Sequence, residues 1–143
     1  MSSVAHATSS SRPLVRVLVV AQLATIGAFL TVLLLYVGRM TTAGVGPAEM
    51  LTGAYDPKDV IPFGMGGLNP FLWLYAVVGM LYVVGAVLGL PLAIVAVALA
   101  ARERDALPRA TRSLLLAGAV GGLLVLVARF TPPLLDMHRW WLD

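Results

Sequence analysis

Few side chains in this sequence have the types and spacing for chemistry. The two histidines, His6 and His138, stand in polar flanks rather than in apolar stretches. That placement argues against a histidine-held transmembrane haem or an intramembrane proton relay. There is no cysteine, hence no disulfide, thiolate metal site or cysteine nucleophile. Asp56 and Asp59 flank Lys58. Two carboxylates separated by a cation make a poor divalent-metal site, and Asp56 reads instead as the start of a solvated Asx turn. Ser113 has no histidine nearby in sequence to activate it. The Gly66-Gly67 pair follows no strand and is no phosphate loop. The expectation is therefore no catalytic residue, no cofactor and no metal.

The residues suited to recognition form a second group. Arg129 and the pair Arg139 and Trp140, with Trp141 beside them, cluster near the end of the sequence. Tryptophan and arginine carry interface energy more often than other residues. Together with Phe63 and the glycine-rich stretch 63–68, they form a candidate docking site for a partner chain or a lipid headgroup. Simpler roles for Arg129 are snorkelling to headgroups or pairing with Asp136. Gln22 is the one amide inside an apolar stretch, with Thr25 and Thr31 following it. It is expected to hydrogen-bond across helices or to a backbone carbonyl.

Positioning these residues falls to a chain that is 59% hydrophobic and only 12% charged over 143 residues. Its mean hydropathy is +0.91. Ordinary soluble domains hold about 45–50% apolar and about 25% charged residues. A small soluble domain could not hide that apolar surface, so the sequence predicts an integral membrane protein. The formal charge of +3 sits beside the apolar stretches as an orientation signal, which argues against a nucleic-acid partner. Arginine outnumbers lysine nine to one, a bias that fits a GC-rich bacterial genome.

The predicted fold is all-α, with three transmembrane helices over about 13–38, 70–101 and 108–130 and a long outer loop over 39–69. Residues 1–12 are expected to be a disordered cytoplasmic tail, and 13–143 a single three-helix transmembrane domain. The first apolar stretch is about twenty residues, too long for a signal-peptide core and right for a bilayer span. Pro13 suits its first turn and Gly38 its exit. Asn69 caps the second helix, with Pro70 at its first position. At 1.5 Å per residue that helix exceeds the ~30 Å hydrocarbon core, so it must tilt, bend at Pro91 or protrude. Within the loop, 46–53 reads as a short helix between proline and glycine, and the sequence Thr131-Pro132-Pro133 stops the third helix.

Six basic residues flank the N-terminal tail and the short turn, against four in the long loop and C-terminal flank. The positive-inside rule then puts the N-terminus in the cytoplasm of a bacterial plasma membrane and the C-terminus outside. Nearly all aromatics fall on that outer side. Helices in lipid associate through small residues. The second helix carries such a stripe at Gly79, Tyr82, Ala86, Gly89, Ala93, Ala96 and Ala100, all small but Tyr82; Gly85 and Gly89 also make a GxxxG pair, as do Gly118 and Gly122 in the third. These glycines and Gln22 are the expected helix-packing residues, holding a single bundle together.

The function that follows is a non-enzymatic accessory or assembly subunit of a membrane complex. Its expected partners are the lipid bilayer and other membrane subunits or further copies of itself. One alternative is an oligomeric channel or transport component with Gln22, Thr25 and Thr31 facing a pore. A second is a membrane enzyme that borrows its chemistry from a bound lipid or a partner chain.

Overall fold

The computed structural model describes residues 3–143, with side chains from Arg12 onward. The chain is all-α, and among the described residues there is no strand. Among the described residues three helices are long and apolar enough to cross a membrane, over Arg12–Ala43, Pro70–Arg102 and Arg109–Arg129. They belong to α1 (Ser3–Ala43), α3 (Pro70–Arg102) and α4 (Arg109–Arg129). A short α2 (Pro47–Met50) and a 3-10 turn (Pro57–Val60) lie in the long connection, and α5 (Pro132–Leu142) closes the chain.

The first helix is longer at both ends than the sequence predicts. It does not start near Pro13, which lies inside it. Of the expected disordered tail, Met1 and Ser2 lie outside the described residues, and the remainder continues the helix. Extending a helix needs no new nucleation step. Nor does Gly38 end it. The hydroxyls of Thr41 and Thr42 each donate to the Gly38 carbonyl at 2.9 Å, and the helix continues to Ala43. Gly44 then takes the left-handed conformation, with φ +68°. The Val45 N–H closes onto the Met40 carbonyl at 3.1 Å, the six-to-one bond of a Schellman stop.

The start of α3 follows the predicted capping. Asn69 accepts the Phe71 N–H at 3.0 Å, and Pro70 occupies the first turn. The helix runs 33 residues through Pro91, about 50 Å at 1.5 Å per residue. By contrast α4 has 21 residues, about 31 Å. The ends of α3 and α4 are joined by the turn 103–108, so α3 outruns its neighbour at the far end by residues 70–81, about 18 Å.

The chain beyond α4 fills the space left beside that overhang. Thr131-Pro132-Pro133 does stop α4, but the same residues start α5, a helix absent from the sequence reading. Thr131 is its N-cap residue, with its carbonyl receiving the Leu134 and Leu135 N–H groups at 3.0 and 2.9 Å. Proline in the first turn costs nothing, because no N–H partner is available there. Met137, Trp140 and Trp141 form the buried face of α5 at helical spacing.

The buried side chains form two clusters. At the turn end, Ala93, Ala96 and Ala100 of α3 meet Val15 and Leu18 of α1 and Leu115 and Ala119 of α4. Small residues on one helix against branched ones on the next let the axes approach closely. At the loop end the cluster is aromatic, built on Phe29, Tyr36, Tyr82, Trp140 and Trp141.

Candidate functional site

The loop-end cluster contains an unexpected buried cation. Arg129 is the last residue of α4 and is 5% exposed. It neither snorkels outward nor pairs with Asp136, whose carboxylate instead lies 3.7 Å from Arg139. Its Nη2 donates to the Tyr82 carbonyl at 2.9 Å. Its guanidinium lies 4.0 Å from the centre of the Tyr82 ring and 5.1 Å from that of Phe29. Nε and Nη1 are buried and find no partner among the described residues. The charge is thus held by ring faces, by one carbonyl and by its place at a helix C-terminus, where the dipole favours a cation.

Tyr82 is fully buried and joins the elements around it. Its ring stacks parallel to Phe29, with centroids 6.3 Å apart. Its hydroxyl is 3.2 Å from His138 Nδ1, and donates to it when that nitrogen is unprotonated. His138 lies outside the three long helices, as its place in the sequence implies, and α5 folds it back onto α3. Burial first, and the nearby Arg129 charge second, lower the His138 pKa below its ordinary value.

The two tryptophans are held on the same side. Trp140 packs on Tyr36 at 5.3 Å and its Nε1 donates to the Tyr55 carbonyl. Trp141 packs on Tyr75 at 4.6 Å, and its indole lies where a Cβ on Gly79 would reach it at 3.7 Å. The sequence grouped Arg129, Arg139, Trp140, Trp141 and Phe63 as one docking cluster. The fold divides them. Arg129, Trp140 and Trp141 are buried in the chain's own core, because α5 turns inward. Arg139 is exposed beside Asp136.

Phe63 stands apart, with 90% of its surface exposed. Its backbone is left-handed, with φ 64°, in a residue that is not glycine. The loop is fixed around it. Asn69 Nδ2 donates to the carbonyls of Pro62 and Gly64, both at 2.6 Å, and Trp73 Nε1 donates to the Gly67 carbonyl at 2.9 Å. Met65 and Leu68 are exposed with Phe63, whose ring leans on Phe71 at 5.9 Å. A polar scaffold thus presents an apolar face.

The helix-packing residues also divide. Gly85 and Gly118 are close contacts: a Cβ would lie 3.0 Å from Thr25 Cβ at the first and 2.5 Å from Gln22 Oε1 at the second. At Gly89 and Gly122 a Cβ would meet nothing within 4 Å, so neither position demands glycine for packing. Gln22 is buried, yet neither amide atom has a hydrogen-bond partner among the described residues. The expected bond across the bundle is absent because Gly118, which faces the amide, brings no side chain.

In the loop, Asp56 does accept the Lys58 N–H at 2.7 Å as an Asx turn, and Lys58 lies 3.5 Å from its carboxylate. Among the described residues no three His, Cys, Asp or Glu side chains converge to hold a metal. Sequence reasoning missed Phe29, Tyr82, His138 and Asn69 as parts of these sites. Tyr82 left one signal, as the single bulky member of an otherwise small stripe.

Fold and site define an all-α chain with three candidate membrane-crossing helices, a buried cation under α5 and a braced apolar loop beside it. No protein-family model, curated protein or solved structure matches the chain.

Proposed function

We propose that this chain is a non-enzymatic accessory or assembly subunit of a membrane complex, and that the loop around Phe63 meets an apolar surface of a partner membrane chain. The observation that carries this reading is the Phe63 conformation. A left-handed backbone costs a non-glycine residue about 1–2 kcal/mol, and a phenyl ring that leans on Phe71 yet stays 90% exposed buries little surface in return. Strain held in place by surrounding hydrogen bonds is the signature of a preorganised contact. A ring that only dipped into lipid would gain nothing from being fixed. The pore alternative has less support. Gln22 and Thr25 are buried in the bundle whereas Thr31 is exposed, so the three do not share one wall.

The test places a photoreactive phenylalanine analogue at position 63 in cells, with Leu124 as an exposed control position on α4. A discrete adduct with another membrane protein, formed from 63 and absent from 124, is the expected outcome. An adduct at twice the chain mass would mean self-association instead, and lipid adducts alone would end the docking reading. Phe63→Gly should keep or raise the unfolding midpoint while abolishing the adduct partner's co-purification.

The proposed setting is a bacterial plasma membrane, N-terminus cytoplasmic and C-terminus outside, supported by the six-to-four distribution of basic residues. A membrane-impermeant thiol reagent on intact cells should label Thr52→Cys and Leu142→Cys well, and Ser2→Cys and Ala106→Cys poorly. The reverse pattern would invert the orientation.

A further inference from the structure

At the turn end, opposite the aromatic site, the ends of the three long helices enclose a cleft of about 670 Å³. Arg12 and Arg16 line it from α1, Glu103 from the end of α3, Thr111 from the first turn of α4, and Val15 and Leu107 give it apolar wall. That volume lies within the range of small-molecule sites.

The charge around the cleft is unbalanced. Arg12 and Arg16 are four residues apart, on one face of α1, where like charges repel. Arg102, Arg104, Arg109 and Arg112 surround the same turn. Six arginines against Glu103 and Asp105 leave a surplus of four positive charges. The three ion pairs among the described residues all lie at the loop end of the molecule. Residues 1–11 contain no aspartate or glutamate, so they bring no carboxylate side chain to Arg12 or Arg16. The cleft thus combines paired guanidiniums suited to phosphate oxygens, a hydroxyl, and apolar wall continuous with the membrane-crossing helices.

We propose that this cleft binds a phosphate group, that of an anionic phospholipid headgroup in the adjoining leaflet. Arg12 and Arg16 take the phosphate, and the Thr111 hydroxyl donates to it. Glu103, a carboxylate that would repel a bare anion, accepts from the hydroxyls of a glycerol headgroup. Basic pockets between membrane helices recognise headgroups through this chemistry.

The full-length protein in a neutral detergent is titrated with phosphatidylglycerol, with phosphatidylcholine of the same chains, and with inorganic phosphate. Bound lipid is counted by native mass spectrometry. Phosphatidylglycerol should bind at least tenfold more tightly than phosphatidylcholine, and inorganic phosphate more weakly than either. Arg12→Gln with Arg16→Gln should weaken phosphatidylglycerol about tenfold. Arg104→Gln with Arg109→Gln, which removes equal charge outside the cleft, should leave binding within twofold. Ala106→Trp fills the cleft with every arginine retained and should also abolish binding, which covers the case of a poorly inserted arginine variant. Equal losses from the two arginine pairs would reduce the effect to general surface charge and overturn the site. Inorganic phosphate binding as tightly as the lipid would overturn the headgroup assignment.

Discussion

Alanine at Gly118 and alanine at Gly122 should change stability in opposite directions, although the two glycines form a single small-residue motif. In a helix interior alanine is favoured over glycine by about 0.8–1.0 kcal/mol, and both substitutions gain that increment. At Gly122 nothing lies within 4 Å of the new methyl, so the gain stands alone. At Gly118 the methyl would sit 2.5 Å from Gln22 Oε1, 2.9 Å from its Cδ and 3.3 Å from its Cβ. Gln22 is buried, and its Cβ is fixed to the α1 backbone, so swinging the amide away relieves only part of the clash. Overpacking of this kind costs about 1–3 kcal/mol, so Gly118→Ala should lose up to about 2 kcal/mol net. The two variants should therefore differ by about 1–3 kcal/mol. Reversible unfolding in detergent, followed by tryptophan fluorescence, measures both. Gln22→Ala combined with Gly118→Ala closes a double-mutant cycle, and the clash should appear as a coupling of about 1 kcal/mol or more. Equal signs for the two glycines, or additivity in the cycle, would refute the assignment of α4's packing face.

Deleting residues 137–143 should destabilise the purified chain itself, and Trp140→Ala should reproduce much of the loss, about 3 kcal/mol by analogy with buried tryptophan truncations. An unchanged unfolding midpoint would show that α5 is not part of the core. His138 adds a pH dependence. Its pKa is lowered in the fold, so the unfolded chain binds the proton more readily. Stability should stay level above the unfolded value, about 6.5, and fall as the pH drops below it. His138→Gln should flatten that slope in a thermal-melt series from pH 7.5 to 5, and a persisting slope would assign the titration elsewhere.

The parts of the fold legible in the sequence are those that depend on local chemistry. The Asn69-Pro70 start of α3, the Asx turn at Asp56 and the three apolar helices all follow from short-range rules. The small stripe of α3 is legible for the same reason, since its spacing places Gly89, Ala93, Ala96 and Ala100 on one buried face. Apart from the end of α1, what escaped depends on contacts distant in sequence. Gly38 has the composition of a helix stop, yet α1 runs on through Thr41 and Thr42, whose hydroxyls bond back within it, and Gly44 takes the left-handed turn. The tail after Pro133 shows a helical face only once Met137, Trp140 and Trp141 have a surface to bury against. That surface is supplied by Tyr36, Tyr75 and Gly79, some sixty to a hundred residues earlier. For the same reason Arg129 could not be assigned its direction: the alternatives outward were visible locally, whereas the rings that draw it inward belong to α1 and α3.

Tyr82 explains why that inward direction is favoured. A guanidinium leaving water loses several kcal/mol of solvation unless it finds partners, and the membrane-crossing helices hold no carboxylate between Arg16 and Arg129 to meet it. The ring of Tyr82 faces Arg129, its carbonyl receives the Nη2 hydrogen bond, and its hydroxyl reaches His138. One side chain of α3 thereby links the end of α4 to the middle of α5, while Phe29 of α1 stacks parallel to it. Removing any partner leaves another polar group buried without a mate, and such groups cost more to orphan than they contribute when paired. Trp140 and Trp141 lie buried beside this network, packed on Tyr36 and Tyr75. The docking surface proposed for this end is the loop that carries Phe63, whose bracing by Asn69 leaves the Arg129 network untouched.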